Sequence, residues 1–329
     1  MPELPEVQTT VNGLNRYTVG LTITDVWTNY NSPYFKGSRT IKDPVFFKLF
    51  KKEVVGKKVL AIHRRAKNIL IEISGGTTIL VHMKMTGHLL YGKYRFNKSD
   101  RKDPWEAIEP DGLKDPFNRR IRFLVTFNNG KHLALSDTRK FAKVTLISTE
   151  NAEESTHLVD LGPEPLLADF TFEIFKSQLN KKLNWKIKQA LMDQGLIAGI
   201  GNIYADESLW RAGIHPSRKV RDVVYSERFV PSDLSRAKSR EVERSRGTHP
   251  EMKKLYQAIK HTLSKGIDLG GDSMSDYRNI HGNKGNFQLE HRAYQRTGEK
   301  CSKKGCSGTI RRIIVAGRAT HYCDRHQGM

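Results

Sequence analysis

The sequence predicts a multidomain α+β protein in which an antiparallel β-sandwich or barrel is followed by a helical domain and a small β-hairpin. Three observations predict this fold class. Apolar residues recur at every second position in runs between about 54 and 147, whereas they recur at helical spacing between 172 and 265. All three cysteines lie between 301 and 323, beside two short runs of β-type sequence. The 329 residues allow about two domains, each long enough to bury a core.

The first predicted element is a helix over residues 5–16. Val7 and Val11 repeat at helical spacing, after a proline and two glutamates that suit a helix start. Hairpin turns are predicted at Gly75–Gly76 and Asn129–Gly130, because such turns favour residues that tolerate positive φ. The strands that these turns join are predicted at Val59–Ile62, Ile69–Ile73, Thr78–Met83, Ile121–Phe127, His132–Leu135 and Lys143–Ile147.

The second half of the chain is predicted to be mainly helical. Segment 92–119, rich in Lys, Asp and Pro, is predicted to be a surface excursion, and the charged link Ser217–Arg246 shows no pattern that we can interpret. The helices are predicted over residues 172–180, 185–193, 202–212 and 251–265. The terminal hairpin is predicted to consist of Thr309–Val315 and Ala319–Tyr322, with its turn at Ala316–Gly317.

The charge of the chain indicates a polyanionic partner. There are 56 Lys and Arg against 35 Asp and Glu, which gives a formal net charge of +21. A basic balance can also reflect solubility, and binding to a membrane surface or to RNA would give the same balance. No apolar run approaches the roughly 20 residues that span a bilayer, and the start of the chain lacks the features of a signal peptide. We therefore expect a soluble, intracellular, cytoplasmic protein without a membrane partner.

The cysteines predict a metal site. Cys301 and Cys306 precede the terminal hairpin, and Cys323 and His326 follow it. Three thiolates and one imidazole fill a tetrahedral set with protein ligands, which is typical of one structural Zn²⁺. The alternative is three buried cysteines and a surface histidine. With zinc bound, Arg318 near the turn would project from a rigid tip suited to a phosphate or a minor groove.

A glycine-rich turn between two predicted helices is a candidate phosphate site. Gly199 and Gly201 precede Asn202 at the start of the second helix, so backbone N–H groups and the Asn202 amide can approach a phosphate closely. The alternative is a helical hairpin that needs glycine only for its turn.

The amino terminus is a candidate nucleophile. If Met1 is removed, Pro2 becomes a secondary amine with a pKa near ~8, and it is more available at neutral pH than a lysine near ~10.4. Its condensation with an aldehyde-level carbon gives an iminium, and Glu3 beside it can relay protons. The alternative is an ordinary helix start.

Together these residues resemble the formamidopyrimidine-DNA glycosylase / endonuclease VIII family over nearly the whole chain. The resemblance implies an N-terminal β-sandwich with flanking helices, a helix–two-turn–helix domain and a C-terminal zinc-finger β-hairpin. We accordingly predict domains over 1–155, 156–268 and 269–329. The motifs that carry the resemblance are Pro2–Val7, Arg64–Lys67, His82–Gly87, Asp137–Phe141, Leu161–Pro165, Ile200–Glu207, Gly270–Gly271 and the hairpin ending at Cys323–Gln327.

The resemblance also implies a catalytic group of residues. It makes Pro2 the Schiff-base nucleophile at C1′ and Glu3 the acid/base that assists base loss and sugar opening. Lys67 matches a lysine that contacts phosphate and base, although it could be one more surface lysine in a basic run. Glu6 matches a support for the first helix and the site.

The residues that would contact DNA follow from the same resemblance. Met85, Arg139 and Phe141 match side chains that fill the gap left by a flipped nucleotide. Without the resemblance we would place Met85 and Phe141 in the core. The matched phosphate contacts are His82, Asn202 and Arg318.

The implied function is that of a bifunctional DNA glycosylase and AP lyase of base excision repair. It would bind damaged double-stranded DNA as a monomer at the nucleoid, remove oxidised purines such as 8-oxoguanine and formamidopyrimidines, and cut the strand by β,δ-elimination. The segments Leu161–Leu166 and Gly270–Tyr277 look more like the purine-directed branch. An endonuclease VIII-like enzyme for oxidised pyrimidines, a catalytically silent zinc-dependent binder of DNA damage and an RNA-binding zinc ribbon are the alternatives.

Three features depart from the family pattern. Lys140 replaces the usual arginine after Arg139, and Thr138 replaces the usual proline before it. The finger has a C-x4-C pair and a terminal histidine in place of two C-x2-C pairs. The excursion 92–119 is longer than the basic pattern needs.

Overall fold

The computed structural model describes residues 1–30, 32–100, 102–225 and 250–328. The chain divides into two compact units, each made of two stretches of sequence. The first unit comprises Met1–Asp160 and Gly266–Leu289, and the second comprises Leu161–Lys265 and Glu290–Met329. Among the described residues no helix has the length and apolar character needed to cross a membrane. The predicted boundaries at 155 and 268 stay predictions.

The first unit contains two antiparallel sheets, so the predicted β-sandwich is confirmed. One sheet has the strand order β2-β3-β4-β9 and the other has the order β1-β7-β8-β5-β6. Alternate residues of both sheets, among them Ile71, Val81, Leu89 and Phe123, form one buried apolar core. The strands are β1 Ile23–Thr28, β2 Val59–Arg65, β3 Asn68–Ile73, β4 Thr77–His82, β5 His88–Phe96, β6 Trp105–Glu109, β7 Ile121–Phe127, β8 His132–Ser136 and β9 Lys143–Ser148.

The predicted turns set the register of two hairpins. Gly75 and Gly76 have φ of 96° and 76° between β3 and β4, and Gly130 has φ of 74° between β7 and β8. Side chains with a Cβ rarely adopt these angles, which explains the glycines. The resulting register pairs Ile71 with Ile79, so that buried side chains of neighbouring strands share one face.

Two helices flank the sandwich, α1 over Leu4–Thr18 and α2 over Pro44–Val54. The first was predicted and the second was not. Asn15 fastens α1 to β2, because its Nδ2 donates to the Ile62 carbonyl at 2.7 Å and its Oδ1 accepts from the Ile62 N–H at 3.2 Å. Helix α2 begins after Asp43, whose carboxylate accepts the N–H of the second helical residue at 2.9 Å.

The prediction that 92–119 is a surface excursion is wrong for most of the segment. It contains the end of β5 and all of β6, which pair as an edge hairpin of the larger sheet. Trp105 packs edge-on against Trp27 with ring centroids 5.9 Å apart, and Leu113 is fully buried. The exposed tip is short and includes residues 98–100. Its many charged residues obscured the apolar positions that decide the fold.

The second unit contains the helices and the terminal hairpin. The predicted helices 172–180 and 202–212 are confirmed, and the bounds of the others differ by a few residues. Of the uninterpreted link Ser217–Arg246, only the part up to Tyr225 is described, and the rest lies outside the described residues. The helices are α3 Phe172–Asn180, α4 Ile187–Met192, α5 Asn202–Ala212, α6 Val220–Val224 and α7 Pro250–Asp268, whose last turn belongs to the first unit. The hairpin strands are β10 Ile310–Val315 and β11 Arg318–Cys323, joined at the predicted turn.

Candidate functional site

The start of α1 is buried and held by the Glu6 carboxylate. Glu3 and Glu6 are both buried within the first unit, as is Pro2. The backbone N–H of Glu3 donates to Oε2 of Glu6 at 2.7 Å, and the N–H of Asp272 donates to Oε1 at 2.7 Å. Glu6 therefore holds the backbone of Glu3, the residue after Pro2, and its supporting role stays a prediction.

Met1 lies in an open groove of the first unit with a volume of about 810 Å³. Because Pro2 is bonded to Met1, removal of Met1 would leave the Pro2 amine at this groove. The structure thus places Met1, the residue before the expected nucleophile, in the same groove as the three expected void-filling side chains. Met85, Arg139 and Phe141 line it together with Tyr30, Ser32, Phe35, Lys42, Lys84 and Lys140.

The side chains expected to fill the void are exposed, so the placement of Met85 and Phe141 in the core that their apolar character alone suggested is wrong. Met85 is 40% exposed and Phe141 is 48% exposed, and the Arg139 guanidinium lies 4.6 Å from the centre of the Phe141 ring. Apolar side chains that are exposed together in a groove indicate a binding surface, because they do not contribute to the buried core and a bound partner would remove them from water.

Asp137 organises the loops that carry these side chains, a role that the sequence analysis missed. Its buried carboxylate accepts hydrogen bonds from the Thr86 hydroxyl, from the Tyr30 hydroxyl at 2.7 Å and from the Ala142 N–H at 2.8 Å. The Thr86 hydroxyl oxygen in turn accepts the N–H of Arg139 at 3.1 Å. The one signal for Asp137 was its place at the start of the Asp137–Phe141 motif.

Lys42 is a second residue that the sequence analysis missed. Its Nζ donates to the carbonyl of Lys140 at 2.8 Å and lies 5.0 Å from the centre of the Phe35 ring. Burial lowers the pKa of Lys42, and the charge of Asp137 opposes that shift. The contact supports Lys140, whose φ of 57° is unusual for a residue with a side chain.

Lys67 lies at the turn before β3, and His82 is the last residue of the neighbouring strand β4. Lys67 is buried at the β2–β3 turn, and the next residue, Asn68, pairs with His82 of β4. Burial and then the charges of nearby lysines, Lys84 first, lower the pKa of His82 to about 3. Its Nδ1 accepts the N–H of Lys84 at 3.0 Å, so the neutral ring carries its proton on Nε2. His82 can therefore donate a hydrogen bond to a phosphate without being a cation.

In the second unit, the structure brings Asn202 next to the predicted finger. Helix α5 begins at Asn202 after the turn at Gly199, whose φ is 88°. The Asn202 Nδ2 donates to the carbonyl of Ala319 at 3.0 Å, adjacent in sequence to the exposed Arg318. The two expected phosphate contacts therefore lie close together.

A buried ion pair holds the hairpin to the helices of the second unit, and the sequence analysis missed it too. Lys188 and Asp206 are fully buried, with Nζ and Oδ1 2.6 Å apart. Asp206 also accepts the N–H of His321 at 2.9 Å, and Lys188 donates to the hydroxyl of Thr320 at 2.8 Å. A charged residue on the apolar face of a predicted helix was the available signal for Lys188.

The expected metal ligands form one cluster. The side-chain ligand atoms of Cys301, Cys306, Cys323 and His326 all lie within 4.8 Å of one another, so the cluster could bind a metal ion. The Sγ atoms of Cys306 and Cys323 are 3.6 Å apart, close to the ~3.8 Å expected across a tetrahedral ion with metal–sulfur bonds of ~2.3 Å. The His326 Nε2 lies 3.0 Å from the Trp210 carbonyl, which leaves Nδ1 facing the thiols.

Comparison with family models matches both units. The formamidopyrimidine-DNA glycosylase N-terminal domain matches residues 1–144, and the formamidopyrimidine-DNA glycosylase H2TH domain matches residues 161–230. The predicted helix–two-turn–helix domain is thereby confirmed. Formamidopyrimidine-DNA glycosylases of Herpetosiphon aurantiacus and Solibacter usitatus are 33% and 35% identical to this chain, and each alignment covers at least 98% of both proteins.

Solved structures of Lactococcus lactis Fpg have the same fold. Its complex with abasic-site DNA is 30% identical with a TM-score of 0.75, covering 99% of this chain and all of that one. A complex of the wild-type Lactococcus lactis protein with DNA containing an oxidised pyrimidine gives 30% identity and a TM-score of 0.74, with both chains fully covered.

Proposed function

The chain belongs to the formamidopyrimidine-DNA glycosylase family, and we propose that Pro2 is the amine with which it attacks the damaged nucleotide. The protein is a DNA glycosylase and AP lyase of base excision repair, and its partner is damaged double-stranded DNA. The observation that supports the proposal most is the place of Met1 in a groove shared with Met85, Arg139 and Phe141. The amine exposed by loss of Met1 would meet a nucleotide flipped out of the duplex at that groove.

The chemistry requires Met1 to be absent, because a proline nitrogen within a chain has no proton and cannot form an imine. The free Pro2 amine attacks C1′, the N–C1′ bond forms, and the bond from C1′ to the base breaks. Glu3 helps to protonate the departing base. The nitrogen then loses its proton, and the bond from C1′ to the ring oxygen O4′ breaks as Glu3 helps to protonate that oxygen, which opens the sugar and leaves an iminium between the nitrogen and C1′. The iminium that remains acidifies the 2′ hydrogen, so successive β and δ eliminations release both phosphates. Lys67 would contact the base and the adjacent phosphate.

The groove residues would stabilise the duplex after base flipping. Attack at C1′ is blocked within a stacked duplex, so the nucleotide must leave the helix at a cost of a few kcal/mol. Met85 and Phe141 are exposed and able to insert into the stack, while Arg139 would pair with the orphaned base. His82, Asn202 and Arg318 would bind phosphates on the flanks, His82 through its neutral Nε2–H.

We assign one structural Zn²⁺ to the cluster of three cysteines and His326. The backbone N–H of Gly308 donates to Sγ of Cys306 at 3.3 Å, as expected for a thiolate ligand. With four protein ligands the ion leaves no position for substrate, so zinc would only hold the hairpin that carries Arg318.

The proposed substrate class is oxidised purines. It is supported by the resemblance of Leu161–Leu166 and Gly270–Tyr277 to the purine-directed branch. An oxidised pyrimidine is the second candidate, because the matching Lactococcus lactis protein has been solved with DNA containing one. We further expect a monomer in the cytoplasm, associated with the nucleoid, and domains with limits at 155 and 268.

The test uses duplexes with 8-oxoguanine opposite cytosine, or with an oxidised thymine, under single-turnover conditions. We expect faster strand cleavage of the 8-oxoguanine duplex, and borohydride should trap an adduct that mass spectrometry places on Pro2. An adduct on Lys67 would overturn the role of Pro2 while leaving glycosylase activity possible. Faster cleavage of the thymine lesion would instead favour the pyrimidine-directed alternative.

A further inference from the structure

The segment 111–119, to which the sequence assigned no role, is firmly anchored in the first unit. Leu113 is buried among apolar side chains of β5, β7 and β8. Asn118 is buried as well, with its Oδ1 2.9 Å from Nε2 of His88, and its Nδ2 donates to the carbonyl of Gly282 at 3.2 Å. These contacts therefore hold the backbone of segment 111–119 in place, and with it the positions of its other side chains.

Segment 111–119 crosses residues 281–283 of the same unit at backbone distance. A Cβ on Gly282 would lie 2.2 Å from the carbonyl oxygen of Gly112, and a Cβ on Gly112 would lie 2.4 Å from that of His281. Real Cβ atoms do not approach backbone so closely, and Gly282 also has φ of 84°. Both glycines are thus required for the two stretches to meet.

Arg278 joins the two stretches by charge. Its side chain is 1% exposed, its Nε donates to Oδ2 of Asp115 at 3.1 Å, and its guanidinium lies 4.6 Å from the centre of the Phe117 ring. Its Nη1 donates to the carbonyls of Ser275 and Tyr277, each at 2.9 Å. Because a buried guanidinium is costly without a charged partner, Asp115 stabilises the side chain that in turn bonds to the backbone of residues 275 and 277.

The same stretch of chain reaches the amino terminus. The N–H of Asp272 and the hydroxyl of Tyr277 both donate to Glu6, to Oε1 at 2.7 Å and to the main-chain carbonyl at 3.1 Å. The other carboxylate oxygen of Glu6 accepts the N–H of Glu3 at 2.7 Å. A continuous set of contacts therefore runs from Asp115 through Arg278 to the residues beside Pro2.

We propose that Arg278, held by Asp115 and Phe117, is a positioning residue for the reaction at the amino terminus. It fixes segment 272–277 against Glu6, and Glu6 fixes the backbone that carries the amine of residue 2. This inference rests on the proposed function, because it assumes that the Pro2 amine reacts. It gives segment 111–119 a task, which is to hold the partner of Arg278 in place.

The test compares Arg278→Met, Asp115→Asn and the double variant in the full-length protein, with Asp111→Asn as the matched control. The control removes the exposed Lys114–Asp111 pair of the same segment, whose charged atoms are 2.8 Å apart. The measurements are the borohydride trapping rate on a duplex with a pre-formed abasic site, and the Kd for that duplex. We expect Arg278→Met to slow trapping by about tenfold to a hundredfold without changing Kd, since small displacements of a reacting group have effects of that order.

The remaining variants test whether the pair acts as a unit. Asp115→Asn should slow trapping less, the double variant should be no slower than Arg278→Met, and Arg278→Lys should restore part of the rate. If the reductions in trapping rate of the two single variants add up in the double variant, Arg278 and Asp115 do not act as a unit. If Arg278→Met is trapped at the wild-type rate, the inference is overturned. Equal losses of trapping rate and DNA affinity would also overturn it, because Arg278 would then only maintain the fold.

Two further outcomes separate this inference from the proposed function. If the wild-type protein traps no DNA, the proposed function fails and the inference fails with it. If the wild type traps DNA and the variants trap it equally fast, only the inference fails. Should Arg278→Met not fold, Asp115→Asn decides by the same criteria, because its side chain is 26% exposed and can be changed at lower cost.

Discussion

The start of helix α1 and the terminal hairpin hold their functional groups by different means. At the start of α1, the Glu6 carboxylate accepts two backbone N–H groups inside a unit with a large apolar core. At the hairpin, the buried apolar cluster is small and includes Cys301 and Cys323 themselves. We expect the first arrangement to form when the sandwich folds, whereas in the second two of the four buried side chains of the cluster are thiols expected to bind a metal ion.

This difference places the groups proposed for the reaction and two of the groups proposed for phosphate binding in different units. Pro2, Glu3 and the three side chains proposed to fill the void all belong to the first unit, so we expect their geometry not to depend on a metal ion. Arg318 and Asn202 belong to the second unit, and Arg318 begins the second strand of the hairpin, whose base the proposed ion would fix. Loss of zinc should therefore lower the affinity for DNA and leave the proposed catalytic groups in place.

The largest effect should come from blocking the amine of residue 2. An amino-terminal extension that retains Met1 should abolish trapping and strand cleavage, because the nitrogen of Pro2 then has no proton to lose. Zinc content and the Kd for abasic-site DNA should stay those of the wild type, and Glu3→Gln with a free terminus serves as the comparison. Trapping by the extended protein at Lys67 would contradict the assignment of the nucleophile.

Substitution of one metal ligand should disrupt the terminal hairpin. Cys323→Ser is expected to lose stoichiometric zinc and to bind DNA far more weakly, because a hairpin with so small a core depends on its ion. Elemental analysis and a binding titration would measure both changes, and Cys301→Ser should behave in the same way. The first unit should keep its wild-type melting transition. Purified wild-type protein without stoichiometric zinc would contradict the metal assignment.

A smaller and more selective effect is expected from Arg139→Ala. If Arg139 pairs with the orphaned base, excision from a lesion duplex should slow by about tenfold or more, since a good contact to a base edge is worth ~1–3 kcal/mol. Cleavage at a pre-formed abasic site should change less, because no base has to be removed. Lys140→Ala is the matched control in the same loop. Equal losses on the two substrates would make Arg139 a phosphate contact.

The smallest effect should be a change in the pH dependence of stability. With a pKa of about 3, folded His82 binds fewer protons than it does in the unfolded chain, where its pKa is near ~6.5. The folded state therefore loses stability as the pH falls from about 6.5 towards 3. His82→Gln should reduce that loss, as measured by urea unfolding at neutral and acidic pH. His63→Gln, at an exposed histidine of β2, is the control, and equal slopes for both variants would contradict the prediction.

The sequence by itself determined the elements whose apolar pattern is local. Helices α3 and α5, six strands, both hairpin turns of the sandwich and the terminal hairpin follow from period, glycine and cysteine spacing. Elements β1, β5, β6 and α2 were not predicted, because polar residues interrupt their apolar patterns, and because the partner of β1 and one of the two partners of β5 are distant in sequence. Strand β1, for example, pairs with β7 about a hundred residues later.

The same division applies to the site. Motifs were enough to name Pro2, Glu3 and the four metal ligands, since each lies in a short run with a chemical reason for its residue types. Only the tertiary structure could show Asp137 beneath the void-filling loops, Lys188 paired with Asp206, or Arg278 against Asp115. Each of these charged groups is buried or partly buried beside a partner that is 18 to 163 positions away. No local pattern marks such a pair, because its stability comes from desolvation and geometry that exist only in the folded chain.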